Sequence, residues 1–248
     1  VSLDSEAKSI TAKNLENGES EVYHYDACVI ATGASSIMPP LPGIGLKGVF
    51  KMRTPDDAIT LRSYIKENDV KRAVVAGGGF IGLEVAENLK QQGVSVTVVD
   101  LASQIMPNVF DPEMANYAKK HLQKNGIRII TGTALEEISG EEHVTAVKTS
   151  AGIISADLVV MSVGIRPNTA FLADSGIEMF KGTIVTDEQL RTNLPDVYAA
   201  GDCAMVKNRI TGKPQWSAMG STANLAARAL AKTLAGRPTA YGGCLGTG

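Results

Sequence analysis

At 248 residues, 44% hydrophobic and 20% charged, the chain can build one or two domains with a substantial core. A net charge of −2 argues against nucleic acid or an anionic membrane as partner; no signal-peptide pattern is read in these residues, and no apolar run nears the roughly 20 residues of a membrane span. Cys28, Cys203 and Cys244 are too scattered for a disulfide framework or a zinc site, so a reduced, cytoplasmic protein without a metal is expected. His24, His121 and His143 are likewise isolated.

Residues 1–31 read as β, with 10–13 and 21–25 flanking the Asn17-Gly18 turn signal. A short apolar strand at 27–31 runs into Thr32-Gly33. The run Pro39-Pro40-Leu41-Pro42-Gly43 is incompatible with helix and reads as an extended connector between domains. Thr54 then caps a helix over about 55–67, with Pro55 at its first position and Asp56 and Asp57 in its first turn.

Residues 72–100 organise the rest: RAVVAGGGFIGLEVAENLKQQGVSVTVVD. An apolar, β-branched strand (72–76) leads through a glycine turn into a helix (80–92) with Ile81, Val85 and Leu89 at helical spacing. Gly93 stops the helix, and a second buried strand covers 94–99. Gly77, Gly79 and Gly82 fit G-x-G-x-x-G, and Asp100 stands at the next strand end. That context is what a dinucleotide site requires. Gly77 makes the tight turn, Gly79 lets a pyrophosphate approach the backbone, and Gly82 lets helix and strand pack closely. The helix amino end offers N–H groups to phosphate, and Asp100 can accept from the ribose hydroxyls.

After Asp100 comes a loop with Met106-Pro107. Asp111-Pro112-Glu113 opens a helix that runs to about Lys124 and ends at Asn125-Gly126. Residues 127–130 are a strand, 133–160 hold a small antiparallel meander, and 158–162 are a buried strand meeting Gly164. Pro167 forces the chain out of this region. A short helix is expected over 169–175, a strand ending at Gly201-Asp202, and an alanine- and leucine-rich helix over 220–235.

Several segments resemble the flavin-dependent pyridine nucleotide–disulfide oxidoreductases, over nearly the whole chain. They are Tyr25-Asp26-Ala27-Cys28-Val29-Ile30-Ala31-Thr32-Gly33-Ala34-Ser35, the central glycine motif, Val163-Gly164-Ile165-Arg166-Pro167-Asn168-Thr169 and Pro195-Asp196-Val197-Tyr198-Ala199-Ala200-Gly201-Asp202. The resemblance is to the branch with NADH oxidases and coenzyme A–disulfide reductases. It implies an α/β fold: a Rossmann-like NAD-binding domain (45–164) inserted into a partial FAD-binding domain (1–39 and 165–236), with 237–248 starting a dimerisation domain.

The same resemblance implies the site residues. Gly77, Gly79, Ile81, Gly82, Asp100 and Gly164 would hold NAD. Ala31, Thr32, Gly33, Gly201, Asp202, Gly220, Ser221 and Thr222 would hold FAD. Phe80 would cover the flavin where nicotinamide stacks, and Glu84 would support that centre; the alternatives are a core Phe and a helix-surface Glu. None of the three cysteines matches the family's redox position. The chain lacks the family's first FAD-binding segment and begins with Val1, so a fragment is expected, inactive alone and a poor binder of FAD.

The function implied is passage of hydride from NADH to FAD and on to a small disulfide, a persulfide or oxygen, in a protein that is a homodimer at full length. NADPH is disfavoured because Asp100 would repel a 2′-phosphate. Two other readings stay open: a reductase of a rubredoxin or ferredoxin, and a nicotinamide-binding regulatory module without turnover.

Overall fold

The computed structural model describes residues 1–245. The chain divides into two units, one made of Val1–Ser35 with everything from Arg166 onward, the other of Ser36–Ile165. The Pro39–Gly43 run, expected as a linker, belongs to the second unit. Leu41 and Ile44 beside it are partly buried against that unit's core.

The first unit opens with an antiparallel meander of β1 (Ser2–Asp4), β2 (Ser9–Lys13) and β3 (Ser20–His24). Its second turn closes where Asn14 N–H donates to the Glu19 carbonyl at 2.8 Å and Gly18 takes φ +77°. Then come β4 (Cys28–Ile30) and β5 (Ala34–Ser36).

The second unit comprises β6 (Val49–Lys51), α1 (Pro55–Glu67), β7 (Arg72–Ala76), α2 (Phe80–Gln91), β8 (Ser95–Val99), α3 (Pro112–Lys124) and β9 (Arg128–Ile130). The meander β10 (Leu135–Gly140), β11 (Val144–Thr149), β12 (Gly152–Ser155) and then β13 (Leu158–Met161) complete it. A parallel sheet of order β6-β13-β7-β8-β9 forms its centre. β13 and the Ala73–Ala76 part of β7 are apolar and buried because both faces are covered. Ala73 and Val75 point toward Leu61, Ile65, Val85, Leu89 and Ala115 of the three helices. Val74 and Ala76 point the other way, toward Ile138, Val144 and Val147 of the meander. The period of two along β7 thus builds two cores on opposite faces of one sheet.

The helices start where their capping residues put them. Thr54 Oγ1 accepts from Asp57 N–H at 3.3 Å, and the Asp57 carboxylate accepts from Thr54 N–H at 2.8 Å. Asp111 accepts from Met114 N–H at 3.1 Å at the start of α3.

The remaining chain returns to the first unit as β14 (Ile165–Pro167), which pairs with β5, then β15 (Met179–Phe180), β16 (Thr183–Ile184), β17 (Val197–Ala199), β18 (Met205–Lys207), β19 (Pro214–Trp216) and α4 (Gly220–Leu234). The helix expected over 169–175 is a single 3₁₀ turn at Ala170–Leu172. Strands β4 and β17 pair in parallel, and Ile30, Val197 and Ala199 share a core with Leu3, Leu172 and Ile184. Residues 237–245, expected to begin another domain, pack on this unit. Tyr241 N–H donates to Glu188 O at 2.7 Å and Cys244 N–H to Lys207 O at 2.8 Å, with both side chains buried. The last three residues of that expected domain lie outside the described residues. Among the described residues no helix is long and apolar enough to cross a membrane.

The amino ends of β7 and β13 are tied by Asp157. Its Oδ2 accepts from the N–H groups of Lys71 (3.1 Å) and Arg72 (2.9 Å), and its Oδ1 from Arg72 Nη2 (2.6 Å). The Arg72 guanidinium, with help from the two N–H groups, holds this carboxyl below the usual carboxylate range. Because the folded pKa is depressed, the contribution is complete above an unfolded value of about 4 and fades as pH falls through the lower folded value. Asp157→Ala should cost ~1–2 kcal/mol at pH 7, through the two backbone donors left without a charged acceptor. Denaturant melts of both proteins should show the difference shrinking below about pH 4; a gap independent of pH would remove the charge from this account.

Candidate functional site

The glycine loop sits at the carboxyl end of the parallel sheet, between β7 and α2. Its three motif glycines do three different things. Gly77 has φ +109°, and a Cβ there would stand 2.2 Å from the Ser162 carbonyl oxygen. A Cβ on Gly82 would stand 2.0 Å from the Gly77 carbonyl oxygen. These two let the loop, α2 and the end of β13 meet backbone to backbone. Gly79 has no atom within 4 Å of where its Cβ would be. It opens α2 with no side-chain cap and no acidic residue in the first turn. The amino end of this helix therefore presents N–H groups and partial positive charge to open space, the arrangement that receives a phosphate.

Asp100 lies directly beneath. Its Oδ2 accepts from Gly78 N–H at 2.5 Å and its Oδ1 from Ala102 N–H at 2.7 Å. The carboxylate thus braces the glycine loop, a role that strand-end position alone does not reveal. Each oxygen keeps a second acceptor direction for a ligand hydroxyl. The loop after β8 folds back as well: Met106 N–H donates to Gly78 O at 2.9 Å, and the fully buried Ile105 packs beneath Gly78.

Phe80 and Ile81 follow in the first turn of α2, 51% and 40% exposed, so Phe80 is no core residue. Glu84 is exposed one turn on. Gly164, at φ +118°, follows β13 closely, and its carbonyl accepts from Ile37 N–H at 2.9 Å. Gly77, Gly79, Ile81, Gly82 and Asp100 are gathered around one loop, with Gly164 on the strand exit beside it.

In the first unit, the residues expected at a flavin come from three places that converge. The 31–33 turn leaves β4 and the Gly201-Asp202 turn leaves the parallel β17, side by side because Ala200 N–H donates to Ile30 O at 3.1 Å. A Cβ on Gly201 would lie 3.9 Å from Ala223 Cβ in the first turn of α4. That helix is also uncapped by any side chain and has no acid in its first turn. Trp216 Nε1 donates to Asp202 O at 2.9 Å and so fixes the turn from the β18–β19 hairpin.

Two of these residues have hydroxyls already engaged within the protein. Thr222 is buried, and its hydroxyl is paired with Ser217 Oγ at 2.9 Å. Thr32 Oγ1 donates to the Asn168 carbonyl at 2.8 Å. Gly220 and Ser221 remain exposed at the amino end of α4. Cys28, Cys203 and Cys244 are all free and buried, and burial pushes the Cys28 thiol up. An inert thiol is buried in this way; a redox nucleophile is accessible and easily ionised. Among the described residues no group of His, Cys, Asp and Glu gathers as a metal site.

The loop geometry separates the glycines experimentally. Gly77→Ala should lower Tm by ~5 °C or more, through strain at positive φ and a backbone clash. Gly79→Ser should leave Tm unchanged or slightly raised, because its side chain meets open space and can cap α2. Thermal melts of the two variants check this; equal losses would mean the open space at Gly79 is not as described.

Known proteins resemble this chain over nearly its whole length. An NADH oxidase of Methanocaldococcus jannaschii is 38% identical over 236 residues, covering 95% of this chain and 52% of its own length. An NAD(P)H coenzyme A polysulfide/persulfide reductase of Pyrococcus horikoshii is 35% identical, covering 94% of this chain and 52% of its own. The chain spans about half the length of these curated relatives. The water-forming NADH oxidase of Lactobacillus brevis, solved with NADH, superposes with TM-score 0.91 at 28% identity, covering 98% of this chain and 54% of that one. Residues 1–227 match the family model for pyridine nucleotide-disulphide oxidoreductases, and the chain belongs to that family.

Proposed function

We propose that the protein is a FAD-dependent oxidoreductase that passes hydride from NADH to FAD and on to a small disulfide, a persulfide or oxygen, acting in the cytoplasm as a homodimer. The observation that carries this reading is the glycine loop: open space at Gly79, an uncapped helix behind it, and a carboxylate at the next strand end. The acceptor class rests on the names of the relatives, an NADH oxidase and a coenzyme A persulfide reductase.

FAD, when bound, supplies the electron-carrying chemistry that the side chains here lack. The protein's part is binding and electrostatics. The free N–H groups of α2 hold the NADH pyrophosphate, and Asp100 accepts from the adenosine ribose. Exposed Phe80 shields the nicotinamide side of the second unit from water, with Glu84 one turn behind and the Gly164 backbone at the nicotinamide ribose. In the first unit, Asp202 accepts hydrogen bonds from a polyol, and Ala31, Thr32, Gly33 and Gly201 offer backbone at close approach. The amino end of α4, from Gly220 to Thr222, favours negative charge on the reduced ring system.

Two measurements test the reading in the protein expressed from its whole gene. First, kcat/KM should favour NADH over NADPH by about ten- to hundred-fold, since a 2′-phosphate beside Asp100 should cost ~1–3 kcal/mol. Residues 101–105 contain no Lys or Arg to neutralise it. Asp100→Ser should narrow that gap and also lower Tm, because Gly78 and Ala102 lose their acceptor. Equal efficiencies in the unmodified protein would take this role from Asp100. Second, Gly79→Asp should cap α2 and keep the fold, yet weaken NADH binding by about tenfold or more, since a carboxylate then occupies the phosphate position. Undiminished NADH binding by that variant would place the pyrophosphate elsewhere.

A further inference from the structure

The proposed function gives no task to Asn168, which closes the Arg166-Pro167-Asn168 segment. It lies 133–136 residues from Thr32 and Ser35, yet it engages the 32–35 turn with its whole polar complement. Its Nδ2 donates to the Thr32 carbonyl at 2.9 Å, and its Oδ1 accepts from Ser35 Oγ at 2.8 Å. Its backbone N–H donates to the Gly33 carbonyl at 2.9 Å, and its carbonyl accepts from Thr32 Oγ1 at 2.8 Å. Four hydrogen bonds from one residue thus surround a turn that holds Gly33 at φ +67°.

This arrangement has a chemical signature. The side-chain bonds need a donor and an acceptor on one planar group, which an amide has and a carboxylate lacks. An aspartate at 168 would keep the bond from Ser35 and set its other oxygen against the Thr32 carbonyl. The clasp also engages the Thr32 hydroxyl as a donor, so toward a ligand that oxygen is left to accept. Both Asn168 and Thr32 are exposed, so the bonds are not demanded by burial. An exposed clasp that fixes the backbone of a turn around a left-handed glycine fits a geometry kept for binding better than one kept for packing.

We infer that Asn168 is a positioning residue for flavin: its amide clasp sets the backbone of the 32–35 turn in the form that receives FAD. The inference rests on the flavin reading of the first unit given above. It is tested in the protein expressed from its whole gene, with Asn168→Asp and the milder Ser35→Ala. Three things are measured: FAD dissociation, the visible flavin band, and amide hydrogen exchange at residues 32–35. Asn168→Asp should weaken FAD by about tenfold or more, broaden or shift the flavin band, and speed exchange at the turn. Ser35→Ala, losing one bond, should weaken FAD by about two- to threefold with Tm unchanged. Faster exchange with the FAD constant and flavin band unchanged would overturn the positioning role alone. Unchanged exchange in Asn168→Asp would overturn the clasp itself. An unmodified protein that takes up no FAD would overturn the flavin reading and this inference together.

Discussion

The close approach of three backbones around Gly77 is the constraint on which the second unit's candidate site depends. The Gly77 carbonyl faces Gly82 in α2, and the Ser162 carbonyl at the end of β13 faces Gly77, each at a distance that excludes a Cβ. Strand, helix and neighbouring strand are therefore fixed relative to one another without a side chain between them. Asp100 adds the fourth element by holding Gly78 N–H from the end of β8. The open space at Gly79 exists because everything behind it is packed. A looser loop would fold into that space, and the helix amino end would satisfy itself.

Among the described residues, the four α-helices divide by how they begin. Thr54 and Asp111 close the amino ends of α1 and α3 with their own side chains. The helices that open beside the candidate sites, α2 and α4, begin at Gly79 and Met219 without a side-chain cap. A missing cap is worth about 1 kcal/mol. That loss falls at the two helix ends proposed above to face a phosphate and an electron-rich ring.

Much of this was legible in the sequence, and the reason is that it is local. The Thr54-Pro55 and Asp111-Pro112 pairs, the spacing of Val85 and Leu89, and the glycine triplet between two β-branched runs each encode their geometry within a few residues. What was not legible depends on partners far along the chain. Thr32 and Thr222 read as flavin positions, and the bonds that tie their hydroxyls to Asn168 and Ser217 appear only in the fold. Asp100 read as a ribose acceptor, and its bonds to Gly78 and Ala102 appear only once the loops fold back. The packing of residues 237–245 on the first unit was not legible either, because nothing in their composition records that Glu188 and Lys207 offer them carbonyls.

The division of the first unit into two chain segments bears on how the protein folds as it is made. Ser36–Ile165 is continuous, with its own sheet and two cores, so it can fold while the later chain is still being synthesised. Bringing Ser35 and Arg166 together across an unfolded segment of that length would cost roughly 4–5 kcal/mol of loop-closure entropy. Once the inserted segment is folded, β5 and β14 emerge as paired neighbours, and the long closure becomes a short one. Strands β4 and β17 then meet with little further search. The second unit thereby acts as an internal template for the first, and a variant that slows its folding should delay ordering of residues that lie in neither its sheet nor its cores.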